Sequence, residues 1–495
     1  MTVTGGTRAE PGETGQPPGT RPLALWEALV PVVTLIVLIV ASVLLFGDAG
    51  FEGPNQIALV LAAMTGVWVA RRAGHSLEEL NRAAVASISS GIGAILILFA
   101  VGALIGAWAV SGTLVAMVYY GLSWLSPSYF PLSAFLVCAA VATCLGSSWT
   151  TAGTLGVGFM GMAVNMGIDP ALAAGAIIAG AYVGELVSPL SDTANLASGG
   201  GGVPLYTHLR AIALPTALGF LIAGAVFRLL SVPKSVDVSG ALAVIGAEFH
   251  MTPWLFLPLA VVAGLALMRV APFTTIILGA LTGLLVAVVL DPGRLAAFAD
   301  PAGALWGPVA VLKGAWQVLA TGFRSDTGIG PLDTLLSRGG MESMLPTIWL
   351  IMAALGYGGV VERAGVLSRL IAPVVAAARS ATRLVASIVG AVVGANMITA
   401  DQYMAIVLPA RMFRGAVAGL GYPPVMLTRT VAAAATPTSA LVPWNSCGAY
   451  MAATLGVSTI HYAPYAVFNY VLPLVVIALA AIGPGRRAAG AAGNA

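Results

Sequence analysis

Apolar runs of membrane-spanning length recur from one end of the chain to the other, and they leave it little choice of fold. A helix needs about 20 consecutive apolar residues to cross a bilayer. Runs approaching or exceeding that length lie at 23–46, 55–70, 85–110, 131–164, 171–196, 209–230, 253–269, 271–290, 345–361, 384–410, 430–457 and 464–483. Only 8% of the 495 residues are charged, where a soluble domain carries about 25%. With 59% hydrophobic residues and a mean hydropathy of +0.95, the composition excludes a soluble enzyme, a disordered chain and a nucleic-acid binder. A net charge of +3 leaves no electrostatic footprint for a polyanion. The expected fold class is all-α, a polytopic membrane protein with about 11–13 membrane segments.

Basic residues orient the chain. Arg71, Arg72 and Arg82 follow the second run, and Arg486 and Arg487 follow the last. Positive charge marks the cytoplasmic side, so both termini are placed there. The first run is too long for the apolar core of a signal peptide and is read as a retained span. Residues 1–22, rich in Gly, Pro and Thr, read as a disordered tail. The expected division is then an N-terminal membrane half over 23–290, a linker along the membrane surface over 291–344, a C-terminal half over 345–484 and a tail over 485–495.

Little in the sequence supports covalent or cofactor chemistry. Cys138, Cys144 and Cys447 lie in apolar stretches, and the four histidines lack metal-ligand spacing. There is no P-loop sequence to bind a nucleotide. The expectation is therefore no cofactor, no enzyme activity, and transport driven by an ion gradient.

Two runs have the wrong length for one crossing. Run 384–410 is flanked by Arg379 and Arg383 on one side and by Arg411 and Arg414 on the other. Arginine at both ends suggests entry and exit on the same face, a re-entrant hairpin with its tip near 396–401; one tilted helix is the alternative. Run 131–164 has a polar middle, GSSWTTAGT at 146–154. Irregular backbone at that depth must face protein or a water-filled cavity. Further polar breaks follow at 188–196 and 436–446. Thr151 and Asn195 are 44 positions apart, as are Asp401 and Asn445. Broken segments at matching places in two halves point to inverted repeats with the site between them.

Three acids fall inside these runs: Glu185, Asp192 and Asp401. A carboxylate at mid-membrane costs about 2.5–3.5 kcal/mol on insertion scales and usually marks an ion or proton path. Asp192 lies in Ser188-Pro189-Leu190-Ser191-Asp192-Thr193-Ala194-Asn195, where Pro189 frees backbone carbonyls and Ser188, Ser191, Thr193 and Asn195 add oxygens. Hard cations take oxygen ligands, so this is a site for Na+ or Li+. Thr150 and Thr151 in the first break, Asp401 and Gln402 in the third and Asn445 in the fourth complete the expected cation and proton set, with Asp192, Asn195 and Asp401 as Na+ ligands. Glu185 is seven residues before Asp192. On an uninterrupted helix the two share a face, which suggests a proton relay; a boundary charge is the alternative. Arg411 reads either as a topology charge or as a partner for an anion. Trp149 and Trp444 read as packing residues or lids.

At these residues the chain resembles the NhaC family of Na+/H+ antiporters. GSSWTTAGTLGVGFMGMA, SPLSDTANLA, DQYMAIVLPARMF and LVPWNSCGAYMAATLGV carry the resemblance, which runs from about residue 80 to 475. It implies inverted repeats and helical hairpins. It also places Asp192, Thr193, Asn195, Asp401, Gln402 and Asn445 on the family's ion-site motifs. Family members commonly read Gly-Asp-Lys where this chain has Gly184-Glu185-Leu186, and Thr-Thr-Asn where it has Thr193-Ala194-Asn195.

The resulting expectation is a multi-pass cell-membrane antiporter that exchanges Na+ or Li+ for H+ by alternating access, with Asp192 and Asp401 as the shared carriers. Its partners are Na+, H+ and the lipid bilayer, with no nucleic acid and with homodimerisation left open. The alternative is a Na+- and H+-coupled organic-acid exchanger, such as one trading malate for lactate. A channel or sensor is a minor third reading.

Overall fold

The computed structural model describes residues 20–124, 126–231, 251–325, 333, 336–337, 339–376 and 380–482. Most of the expected N-terminal tail, the whole C-terminal tail, and the side chains of Asp326, Arg338, Arg379, Arg486 and Arg487 lie outside these residues. Among those described, helices are the regular elements and no strand occurs. The chain is an all-α polytopic membrane protein. Among the described residues, seven helices are long and apolar enough to cross a bilayer, or up to eight if the bent pair Thr459–Tyr465 and Val467–Ile482 is one span.

The first part of the chain holds α1 (Leu25–Phe46), α2 (Pro54–Arg72), α3 (Leu77–Ser90), α4 (Ile92–Val110) and α5 (Thr113–Trp124). Next come α6 (Phe130–Leu145), α7 (Ser148–Thr151), a π turn (Ala152–Gly156), α8 (Val157–Asn165), α9 (Pro170–Val187), α10 (Asp192–Gly201) and α11 (Leu205–Leu230). A middle section has α12 (Leu257–Leu267), α13 (Pro272–Leu290), α14 (Pro292–Ala299) and α15 (Gly307–Thr321). The last part holds α16 (Leu345–Arg363), α17 (Val366–Ala376), α18 (Ala381–Thr399), α19 (Gln402–Gly419), α20 (Pro424–Ser439), α21 (Ser446–Leu455), α22 (Thr459–Tyr462) and α23 (Val467–Ile482).

A repeat relates the first and last parts, residue by residue. Gly112 and Gly365, both with positive φ, precede α5 and α17. Gly146 and Ala400 are left-handed turns at φ 75° and 56°. Each is followed by an extended capping residue, Ser147 at φ −142° and Asp401 at φ −137°. Pro170 and Pro424 open α9 and α20, Ser191 and Asn445 cap α10 and α21, and Gly202 and Gly456 end them in the left-handed region. From Gly146/Ala400 onward, each of these pairs is 254 positions apart. The spacing of 44 within each half therefore stands, but its anchors are Ser147 and Ser191 rather than Thr151 and Asn195. The register moves by four residues, about one helical turn.

The break at 400–401 is the tip of a hairpin. Its arms α18 and α19 contact each other, and both contact α20. The arms span 19 and 18 residues, longer than the expected apolar run 384–410. Arg383, Arg411 and Arg414 stay inside the helices with their side chains exposed; long basic side chains can reach polar surroundings without ending a helix. Ala400 carries a Cβ in a conformation that disfavours one. It is held there by a hydrogen bond from Ser446 N to its carbonyl at 2.9 Å. Trp444 Nε1 donates to Met397 O at 2.7 Å alongside it.

Segment 291–344 contributes α14 and α15, and its last residues dock on α4. Gly340 N donates to Gly102 O at 2.7 Å. At the face that carries Arg71 and Arg72, the guanidinium of Arg363 pairs with the Glu79 carboxylate and ties α16 to α3.

Helix α9 is seated on α6 through two glycines one turn apart. A Cβ on Gly180 would lie 2.2 Å from Phe135 O, and one on Gly184 would lie 2.4 Å from Thr143 N. Small residues at this spacing let membrane helices approach closely. Because the obstacles are backbone atoms, no rotamer change relieves them. Gly184→Leu is expected to separate α9 from α6 and to cut the yield of monodisperse detergent-solubilised protein several-fold, as size-exclusion chromatography would show. Wild-type yield and elution would disprove the tight seat.

Candidate functional site

Four helix N-termini face one another near the centre of the bundle. Each is capped by its own preceding side chain: Ser147 Oγ accepts from Thr150 N, Ser191 Oγ from Ala194 N, Asp401 Oδ1 from Met404 N and Asn445 Oδ1 from Cys447 N. These caps exist because α7, α10, α19 and α21 each restart after a break, with orphan N–H groups to satisfy. The partial positive charge of such ends favours carboxylates nearby.

Glu185 occupies the centre. It lies in the last turn of α9 and is 6% exposed. Its Oε2 accepts from Ser148 N at 3.1 Å. Its Oε1 accepts from Thr193 Oγ1 at 2.9 Å and from Gln402 Nε2 at 3.2 Å. The Gln402 bond joins the two repeats: Gln402 Oε1 in turn accepts from Ser439 Oγ at 3.1 Å and from the Cys447 thiol. Under the repeat, Glu185 corresponds to Ser439, Ser148 to Gln402 and Thr193 to Cys447. The site is thus two related triads, and the acid has been kept in only one of them.

A cavity of about 480 Å³ opens onto this centre. Of the residues singled out in the sequence, Trp149 lines it, and so do Thr150, Glu185, Asp192, Thr193, Asp401 and Gln402 from the expected cation and proton set. Asp401, 8% exposed, caps α19 at the hairpin tip. Asp192 is exposed on the cavity wall, as the first residue of α10. The uninterrupted helix that would align Glu185 with Asp192 is absent. α9 ends at Val187 and the chain is broken over 188–191, so Glu185 reaches Thr193 instead.

The remaining expected residues hold the scaffold and do not line the cavity. Ser188 Oγ accepts from Leu190 N, and Asn195 Nδ2 donates to Ser191 O within α10. Thr151 Oγ1 donates to Ser147 O. Asn445 Nδ2 donates to Asn396 O at 3.1 Å, which fastens α21 to the hairpin tip. Arg411 is exposed and is not among the cavity-lining residues; the arginine that lines the cavity is Arg269, in the turn between α12 and α13. Sequence reasoning missed Ser148 and Cys447, and it marked Ser439 only as an oxygen of the polar break at 436–446. The 254-residue register would have picked out Ser439 and Cys447 as the counterparts of Glu185 and Thr193.

The model of the Na+/H+ antiporter family matches residues 21–231 and 180–484. The chain belongs to that family. The Na(+)/H(+) antiporter NhaC of Alkalihalophilus pseudofirmus is 34% identical over 436 residues, covering 87% of this chain and 90% of that one. The arginine/ornithine antiporter ArcD of Halobacterium salinarum is 33% identical, with 93% and 92% covered. The malate-2H(+)/Na(+)-lactate antiporter of Bacillus subtilis is 31% identical, with 90% and 92% covered. Members that share this much of the chain thus carry names of different solutes, so membership of the family leaves the cargo to be argued from the site.

Proposed function

We propose that the protein exchanges Na+, and Li+ with it, for H+ across the cell membrane by alternating access. The observation that carries this reading is the buried Glu185 carboxylate bonded to both repeats, through Thr193 on one side and Gln402 on the other. Carboxylate, hydroxyl and amide oxygens suit a hard cation. A proton and a cation compete for one carboxylate, because both bind its negative charge, so arrival of one expels the other. Asp401 and Asp192 add negative potential along the cavity and lead the cation in. Each repeat then moves against the other about the shared centre. With the arginine-bearing face as cytoplasm, the N-terminus is cytoplasmic and the cavity opens inward.

The test is flux in everted membrane vesicles. Adding Na+ or Li+ to vesicles with an established proton gradient is expected to collapse it, as a pH-sensitive dye reports; K+ and malate leave it standing. A gradient that survives Na+ and Li+ ends the proposal. Asp192→Asn is expected to raise the apparent KM for Na+ roughly fivefold, about 1 kcal/mol, with little change in maximal rate. Because Asp192 is solvent-exposed, the effect should shrink at high ionic strength. Loss of all transport would instead make Asp192 the carrier.

A second reading rests on cavity size. At about 480 Å³ the space exceeds what an ion needs and falls within the range of small-molecule pockets, about 300–1,000 Å³. Arg269 on its wall supplies the anion partner that an organic-acid exchanger requires. Malate-driven collapse of the gradient, lost in Arg269→Gln, would select this reading.

A further inference from the structure

We propose that a second cavity, on the opposite face from the first, is the external vestibule of the transport path, and that the stacked Trp149–Tyr450 pair is the gate between them. The inference rests on the reading of the Glu185 cavity as the transport site.

The second cavity has a volume of about 320 Å³ and is lined by Ile105, Val157, Ser343, Met344, Thr454 and Gly456 among others. Three helices measure its position. On α4, Gly93, Ala94 and Ile97 meet the first cavity and Ile105 meets the second. On α16, Met344 at its start meets the second cavity and Ile351 and Leu355 meet the first, while Arg363 at its end pairs with Glu79 on the basic face. On α21, Ser446 and Cys447 meet the first cavity and Thr454 meets the second. From Cys447 to Thr454 a helix rises about 10 Å. All three helices separate the two cavities along their length, and on α16 the basic face lies beyond the first cavity, away from the second.

Between the residues that line the two cavities the chain carries an aromatic pair. The Trp149 and Tyr450 rings stack with centroids 4.0 Å apart and planes 13° apart. Tyr450 Oη donates to Trp149 O at 2.8 Å, which closes the pair on itself. Trp149 lines the first cavity and Tyr450 is fully buried behind it. The chain passes from Trp149 to the second cavity through the π turn Ala152–Gly156, and a Cβ on Gly153 would lie 2.6 Å from Tyr450 Oη. π turns hold one residue more than an α turn and recur at functional sites. Here the turn lies beside the aromatic pair, where a return to α-helical winding would shift Trp149 relative to Tyr450. The stack and one hydrogen bond are what such a movement must break.

Single cysteines in a background without the three native thiols test the vestibule. A membrane-impermeant charged thiol reagent is expected to label Ser343→Cys from the external side of intact cells, and Ala94→Cys from the cytoplasmic side in everted vesicles. Labelling of Ser343→Cys from the cytoplasmic side, or no labelling of this exposed position from either side, overturns the vestibule. Because labelling needs no transport, the result stays readable even if wild-type protein fails to exchange Na+. For the gate, Tyr450→Ala is expected to raise Na+ uptake not matched by proton movement at least tenfold, whereas Tyr450→Phe keeps the stack and stays coupled. Tight coupling in a well-expressed Tyr450→Ala protein overturns the gate.

Discussion

Glu185→Gln is expected to lower Na+-driven proton movement at least about 100-fold, a loss of roughly 2.7 kcal/mol in the rate-limiting free energy, with expression and membrane insertion unchanged. Gln has nearly the same shape: its one oxygen can still accept from Ser148 N, while its amide nitrogen donates to the Thr193 hydroxyl, which turns to accept. It cannot carry a proton or balance a cation. The measurements are initial rates in everted vesicles across a pH series and Na+ binding to purified protein by calorimetry. Loss of both at every pH marks Glu185 as the shared carrier. Retained Na+ binding with a displaced pH profile would return it to the relay role that its place in the sequence suggested. Wild-type rates would leave it a structural hub between the repeats.

The second large effect is expected at Asp401, where charge and capping can be separated. Asp401 Oδ1 accepts from Met404 N at 2.8 Å and so caps α19. Asn caps as well as Asp, whereas Ala forfeits about 1 kcal/mol. Asp401→Asn is expected to keep the thermal stability of the solubilised protein and to slow exchange about tenfold, near 1.4 kcal/mol, by removing negative charge from the cavity. Asp401→Ala is expected to show the same slowing together with a lower Tm. If the Asn variant transports normally and only the Ala variant is impaired, Asp401 is a cap and takes no part in cation transfer.

The two acids show how the repeat has been used. At Glu185 the partner repeat has Ser439, and at Asp401 it has Ser147. The first half therefore supplies Glu185 and Asp192 and the second supplies Asp401, each from a different structural position. A symmetric site would bury like charges opposite one another, and each unpaired buried charge is costly. Dividing the acids between a helix end and a hairpin tip separates them while both face the same cavity.

Much of this was already legible in the residues. Apolar runs and scarce charge forced an all-α membrane fold, because a backbone in hydrocarbon must satisfy its own hydrogen bonds. Pro189, the polar stretches at 146–154, 188–196 and 436–446, and the hairpin tip at 396–401 marked where helices break, since irregular backbone is tolerated at that depth only beside a cavity or protein. Three intramembrane acids marked the site for the same reason. Tertiary structure decided which acid sits at the centre. Asp192 has the richer local sequence, yet it opens a helix and lies exposed on the cavity wall. Glu185, read along the chain as a relay or boundary charge, is enclosed because its partners Ser148 and Gln402 come from two helices 37 and 217 positions away. Local pattern reports where a backbone must break. Which side chain a broken helix end encloses depends on what the other repeat brings to it, and that is a property of packing that no window of sequence contains.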